Sequence, residues 1–409
     1  MTTASTAVPR KAGALQGIML LLPVTLSVMG VIVLAPVLPQ LQARFGGHAG
    51  GDYLVPMILT LPSLVLVLFS PLAGLLADMF GRRRLLLASM ALYAVVGVAP
   101  IFLNDLVPIL ISRAGVGLAE AMILTLSTTL IGDFFKGRER EKWLAYQTAT
   151  ASLSAVVLLA IGGALGTFGW KGPFAVYLFS LVLLVGLLLF TWEPEPDEAE
   201  PLGRRGSWAG FPWARTFGIC AVTLFAAVMF YTNQIEQSVA LSQRGVVSPA
   251  QIGLLTAFPS LAVPLGTLVF RLGARLPIGP LLAIEFGLIG AGFLAMSHAP
   301  DYRILTASVA INMLGCGMIL PTLLIWAVRG LRFEIRGRGT GIWQGVFSVG
   351  QFLTPIAVTL TAQRTGGLFG AFEAFGAACL VAALVAIILG WGRSTTLAAP
   401  AAGPAASRS

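Results

Sequence analysis

The sequence predicts an all-α integral membrane protein with twelve transmembrane helices in two six-helix, pseudo-symmetric bundles. Three observations carry that expectation: the apolar composition, the one-sided placement of positive charge, and an internal repeat. Of the 409 residues, 57% are hydrophobic and 11% charged, with a mean hydropathy of +0.88. A soluble domain carries about 25% charged residues, so this chain could not cover a water-facing surface. Its apolar runs are continuous, as in helices, rather than alternating as in a membrane barrel.

A helix needs about 20 apolar residues to cross a bilayer. The runs place spans over 15–36, 52–76, 84–103, 107–131, 142–166 and 172–192, then 215–237, 250–271, 279–298, 303–328, 340–362 and 369–391. The expected organisation is an N-terminal cytoplasmic segment (1–14), a first bundle (15–192), a linker (193–214), a second bundle (215–392) and a disordered tail (393–409). The linker expectation rests on Glu193-Pro-Glu-Pro-Asp-Glu-Ala-Glu-Pro, which is acidic and proline-rich. Arg10 and Lys11 precede the first run as in a signal peptide. That run is long and lacks an Ala-x-Ala end, so it reads as a retained helix.

Twenty of the 26 Lys and Arg fall in segments on one side, if the N-terminus is on that side. They include Arg10, Lys11, Arg82 to Arg84, Lys136 to Lys142, Arg204, Arg205, Arg329 to Arg338 and Arg393. The other side takes Arg44, Lys171, Arg244, Arg303 and Arg364, and Arg113 lies within a span. This bias puts both termini in the cytoplasm. It also accounts for the net charge of +9 without any nucleic-acid partner.

The halves echo one another. Gly74-Leu-Leu-Ala-Asp78-Met-Phe-Gly81 recurs as Gly266-Thr-Leu-Val-Phe270-Arg-Leu-Gly273, and Lys136-Gly-Arg138 recurs as Arg336-Gly-Arg338. Both echoes join corresponding spans, which argues for two parallel six-helix repeats.

Gly74 to Arg84 is a short charged hairpin, with Gly81 tolerant of φ > 0 and three arginines holding the turn in water. The pattern Gly74-x-Leu-x-Asp78-x-x-Gly81-Arg82-Arg83 resembles the loop motif between helices 2 and 3 of the major facilitator superfamily of secondary transporters. The family often has a basic residue directly after the Asp; here it is Met79. Ser112-Arg113-Ala-Gly-Val-Gly117 is similar to the family's fourth-helix motif. Gly162-Gly163 resembles part of the drug/proton antiporter motif of the fifth helix, with Leu158 and Leu159 where that motif has Gly-Pro. Leu22-Pro23 and Pro36-Val-Leu-Pro39 resemble the twelve-span drug-exporter branch, and Trp170 to Phe174 looks like the family's entry to helix 6.

Arg113 and Glu120 both lie in the fourth predicted span, where each charge costs at least ~2.5–3.5 kcal/mol on insertion scales. Seven residues set them on one helix face, about 10 Å apart along the axis, so direct pairing would be strained, and water or a polar side chain could bridge them. The resemblance implies that Arg113 serves proton coupling or substrate orientation; a structural ion pair with another helix is the alternative. Glu120 is the best protonatable group near mid-membrane, since low dielectric and a nearby guanidinium act on it in opposite senses.

The seventh span ends in Tyr231-Thr-Asn233-Gln234-Ile-Glu236-Gln237. Glu236 is a third coupling candidate, or it emerges into outer water. The resemblance puts helices 1, 4, 7 and 10 around a central cavity. Arg113, Tyr231, Asn233, Gln234 and Asn312 would then be substrate-cavity candidates, with Gln344 of the eleventh span a further one; Asn312 and Gln344 could instead hydrogen-bond between helices. Asp52, Glu285 and Glu373 lie near span ends and read as interfacial. For the hairpin, the resemblance implies a conformational latch. Asp78 would meet the N-terminus of helix 11, Arg82 would pair with Asp133, and Gly74 and Gly81 would shape the turn. Phe270 replaces the acid in the second copy.

The three cysteines (Cys220, Cys316, Cys379) lie far apart in apolar runs and read as inert. Gly162 with Gly166, and Gly337, Gly341 and Gly345, have small-xxx-small spacing for helix contact. His48 and His298 read as solvated. The sequence has no Walker loop, metal-ligand spacing or nucleophile elbow. No enzymatic activity, metal or cofactor is therefore expected, and an ion gradient is the expected energy source.

The expected activity is secondary active transport of a small molecule by alternating access: proton-coupled efflux of amphipathic compounds by a multi-pass, monomeric protein of the cell membrane. The alternative is proton-coupled uptake of a small organic anion held on Arg113. A receptor or sensor that keeps the fold without transport is a third class.

Overall fold

The computed structural model describes residues 12–194, 211–273, 275–329, 331 and 333–390. Among them are twelve helices long and apolar enough to cross a membrane. In order they are Ala14–Phe45, Gly51–Ala77, Arg82–Ile101, Leu106–Phe134, Gly137–Gly166 and Gly172–Phe190, then Trp213–Gln243, Pro249–Gly273, Ile278–Ser297, Tyr302–Val328, Ile335–Thr365 and Leu368–Gly390. Helices satisfy their own backbone hydrogen bonds, which is why continuous apolar runs take this form in lipid. Most of the linker, the extreme N-terminus and the tail after Gly390 lie outside the described residues, and with them the expectations made there.

Two boundaries differ from expectation in ways that matter. The first span continues to Phe45, so Arg44 stands in a last helical turn rather than in an outer loop. The seventh span runs on to Gln243. Six further residues add about 9 Å of helix, which puts Tyr231 to Gln237 inside the span.

The chain packs as two compact units. One holds the described residues of Met1–Gly30, Val65–Ala155 and Phe174–Glu200; the other holds those of Val31–Leu64, Val156–Pro173 and Pro201–Ser409.

In the first unit the helix of the first span breaks at Leu22–Pro23, where proline removes a backbone donor. Gly17 lies flat against the Trp143 ring; any side chain there would overlap it. The third span begins at Gly81, whose φ of 87° suits glycine. The Glu193 carboxylate accepts from the first-turn amides of Arg83 and Arg84 at 3.1 and 3.3 Å, meeting donors that a helix start leaves open. Arg83 in turn donates to Leu188 O (2.9 Å) and Thr191 Oγ1 (3.1 Å) at the end of the sixth span. Each helix end thus supplies what the other lacks.

In the second unit the fifth span approaches the eighth backbone to backbone. A Cβ on Gly163 would sit 2.7 Å from the Gly253 Cα, and the Gly162 position is closed by the Val33 carbonyl. Gly337 and Gly341, expected to pack similarly, face open space instead. Phe270, which stands where the first copy has Asp78, is buried with Leu281 and Met318.

Candidate functional site

The fourth span carries Arg113 and Glu120 at 0% and 3% exposure. Both lie against Gly30 of the first span. Arg113 Nη2 donates to the Gly30 carbonyl at 2.5 Å. Gly30 lies in the last turn of the helical segment Val24–Ile32, among the carbonyls that a helix leaves open. The Glu120 carboxylate rests against the same glycine, and a Cβ on Gly30 would fall on Glu120 Oε1. Only glycine lets the carboxylate come so close to this backbone.

Two tyrosines complete the centre. Arg113 Nη1 donates to Tyr177 Oη at 2.6 Å, and the guanidinium lies 5.2 Å from the centroid of the Tyr177 ring. Tyr177 packs on Tyr93 with centroids 5.1 Å apart, and Tyr93 Oη donates to Leu26 O at 2.6 Å. Glu120 Oε1 is buried without a hydrogen-bond partner among the described residues. The arrangement is a buried cation held by protein acceptors, next to a carboxylate with one oxygen open.

The seventh-span cluster is buried rather than emerging into water. Asn233 is at 0%, Glu236 at 4% and Gln237 at 3% exposure, because the helix continues beyond them. Asn233 donates through Nδ2 to Asn312 Oδ1. Asn312 Nδ2 donates to Ile289 O at 2.8 Å, and Gln237 Nε2 donates to Leu255 O at 3.1 Å. Tyr231 packs on Phe230 and Phe347, and Gln234 is half-buried. Gln344 is exposed on the eleventh span and does not join the Asn233–Asn312 pair.

Glu285 is not interfacial. It is fully buried within the ninth span and accepts from Thr322 Oγ1 at 2.5 Å, and among the described residues Oε2 has no partner. Local sequence could not reveal this, because Thr322 lies on the next span.

At the hairpin, Arg82 Nη1 meets Asp133 Oδ1 at 2.5 Å. Gly74 is exposed with open space before it. Asp78 belongs to the helix Gly51–Phe80, and its side chain lies outside the described residues. The described His, Cys, Asp and Glu form no group of three or more able to hold a metal.

Sequence reasoning missed Gly30, Tyr93, Tyr177, Glu193 and Thr322. Tyr177 had the one usable signal: it follows the Trp170–Phe174 entry to the sixth span. The others act on partners many residues away.

The Major Facilitator Superfamily profile matches residues 20–243. The chain is 25% identical over 378 residues to the uncharacterized MFS-type transporter YceJ of Bacillus subtilis (strain 168), covering 88% of this chain and 92% of YceJ. It is 24% identical over 352 residues to the bacillibactin exporter of the same organism, covering 80% and 85%. In fold it is similar to a bacterial homologue of the human lysosomal transporter Spinster, solved in an inward-facing, unoccupied conformation. The TM-score is 0.75 at 17% identity, over 93% of this chain and 96% of that one. Span number, helical architecture and the family match agree, and the chain belongs to the Major Facilitator Superfamily of membrane transporters.

Proposed function

We propose that this transporter exports amphipathic small molecules in exchange for protons by alternating access of two six-helix halves. It would act as a monomer in the cell membrane with both termini in the cytoplasm. The observation that carries the reading is the buried centre at Gly30. There Glu120 keeps one carboxylate oxygen unpartnered beside a guanidinium whose Nη1 and Nη2 both donate to protein acceptors. Such a carboxylate can take up and release a proton while the neighbouring cation stays in place.

The same geometry counts against uptake of an organic anion on Arg113, since both of its terminal nitrogens already donate to protein acceptors, Gly30 O and Tyr177 Oη. Kinship with the bacillibactin exporter supports outward transport. Glu236 and the Asn233–Asn312 pair would face the cargo, with Tyr231 and Gln234 beside them. The hairpin, through Asp78 and the Arg82–Asp133 pair, would act as a latch during the cycle.

The test is flux in proteoliposomes under an imposed proton gradient, with ethidium as an amphipathic probe. Ethidium should move against the direction of proton flow. Glu120→Gln should abolish gradient-driven accumulation while leaving exchange of bound ethidium. Accumulation that survives in Glu120→Gln rejects Glu120 as the coupling acid. Co-directional movement of cargo and protons rejects export.

A further inference from the structure

A crevice of about 1030 Å³ opens within the second unit, apart from the buried polar groups described above. It lies at the top of the range of about 300–1,000 Å³ usual for ligand pockets. Its walls are apolar and come from four spans: Val222 and Phe225 of the seventh, Leu282 of the ninth, Trp326 of the tenth, and Val385 and Leu389 of the twelfth. The charged residues that line it are both arginines, Arg215 and Arg329. Arg215 stands in the first turn of the seventh span, and Arg329 directly follows the tenth. They therefore mark one end of the crevice, and Phe225 marks the other. Ten residues of helix separate Arg215 from Phe225, about 15 Å, or half of the ~30 Å hydrocarbon thickness of a bilayer.

The arginines are not idle surface charges. Arg215 Nη2 donates to the Trp326 carbonyl at 3.1 Å, which holds it at the rim. Arg329 Nη1 is buried and has no hydrogen-bond partner among the described residues. A donor withdrawn from water without an acceptor is unfavourable unless a ligand supplies one. Guanidinium is the group best matched to phosphate.

We propose that this crevice binds one anionic phospholipid. Its phosphate lies on Arg329 and Arg215, and an acyl chain runs along Val222, Leu282 and Val385. Free phosphate would satisfy the rim but leave the apolar walls wetted. A zwitterionic lipid would fill the walls and bring a phosphate, but its cationic head group would oppose the two guanidinium groups. The depth of one leaflet and the cationic rim together select a charged lipid.

The experiment is native mass spectrometry of the purified full-length protein in detergent, with phosphatidylglycerol and phosphatidylcholine of identical chains. Phosphatidylglycerol should be retained more strongly, by about fivefold for each guanidinium. Arg215→Gln with Arg329→Gln should remove that preference, and Arg329→Lys should keep part of it. Gly218→Leu, on the wall with open space before it, should weaken retention of both lipids by filling the crevice. Should the double glutamine variant fail to fold, Arg215→Gln alone and Gly218→Leu carry the test. Equal retention of the two lipids overturns the proposal. So does a preference that survives loss of the arginines, or displacement of phosphatidylglycerol by glycerol phosphate at equal concentration.

Discussion

Arg113 and Glu120 share one centre with Gly30, Tyr177 and Tyr93, whereas Glu236 and Glu285 are buried in spans of the second half whose described arginines stand at or near helix ends. The difference lies in what each carboxylate has for company. In the first half a cation, a backbone carbonyl and two tyrosines surround the acid. In the second half Glu285 has a threonine hydroxyl, and the buried amides Asn233 and Asn312 bond to each other. A buried charge that loses its counter-charge is far more costly than a neutral pair that loses one member. The two regions should therefore answer differently to substitutions of similar size.

The largest effect expected is that of Arg113→Leu. It strands Glu120 and leaves the Gly30 carbonyl and Tyr177 without their donor, so the stability loss should be about 3–5 kcal/mol. Denaturation of the purified protein in detergent would show a large fall in midpoint; a wild-type midpoint would mean the centre is not held by charge. Asn312→Leu tests the neutral counterpart. It should cost about 1–2 kcal/mol, since interhelical polar bonds are worth about 0.6–2 kcal/mol. A loss as great as that of Arg113→Leu would erase the contrast between the halves.

Arg82→Gln probes a pair whose side chains are 38% and 21% exposed. Solvent screening limits its worth to about 1 kcal/mol or less. Stability should change little while ethidium turnover slows, and unchanged turnover would reject the latch. The smallest effect belongs to Glu285→Gln. An amide oxygen can still accept from Thr322, and the amide nitrogen replaces Oε2, which among the described residues already lacks a partner, so the midpoint should move by less than about 1 kcal/mol. A loss above that would reveal a charge partner for Glu285 and join the two regions in kind.

Much of the architecture was legible because hydropathy is a local property. Each of the twelve spans announces itself in about 20 consecutive residues, and the structure places all twelve helices where those runs lie. Gly81 was equally readable, since a single residue reports the need for φ > 0. The candidate site was legible only in its parts. Arg113 and Glu120 stood out because charges are expensive in lipid, but nothing near them in the chain names their partners. Glu285 was misjudged by its distance from a predicted span end, which said nothing of packing at the ninth span, and the two readings of Glu236 stayed open until the seventh span was seen to continue past it.

Composition and order along the chain alone determined that this protein crosses a membrane many times and around which residues each crossing is centred, because transfer of an apolar segment into lipid depends on that segment alone. Only the tertiary structure decided that Arg113 would find its acceptor at Gly30, that Glu193 would meet the amides of Arg83 and Arg84, and that Thr322 would meet Glu285. Those partners lie 83, 110, 109 and 37 residues apart. Most buried polar groups find a partner, but which group meets which is settled by how the helices pack.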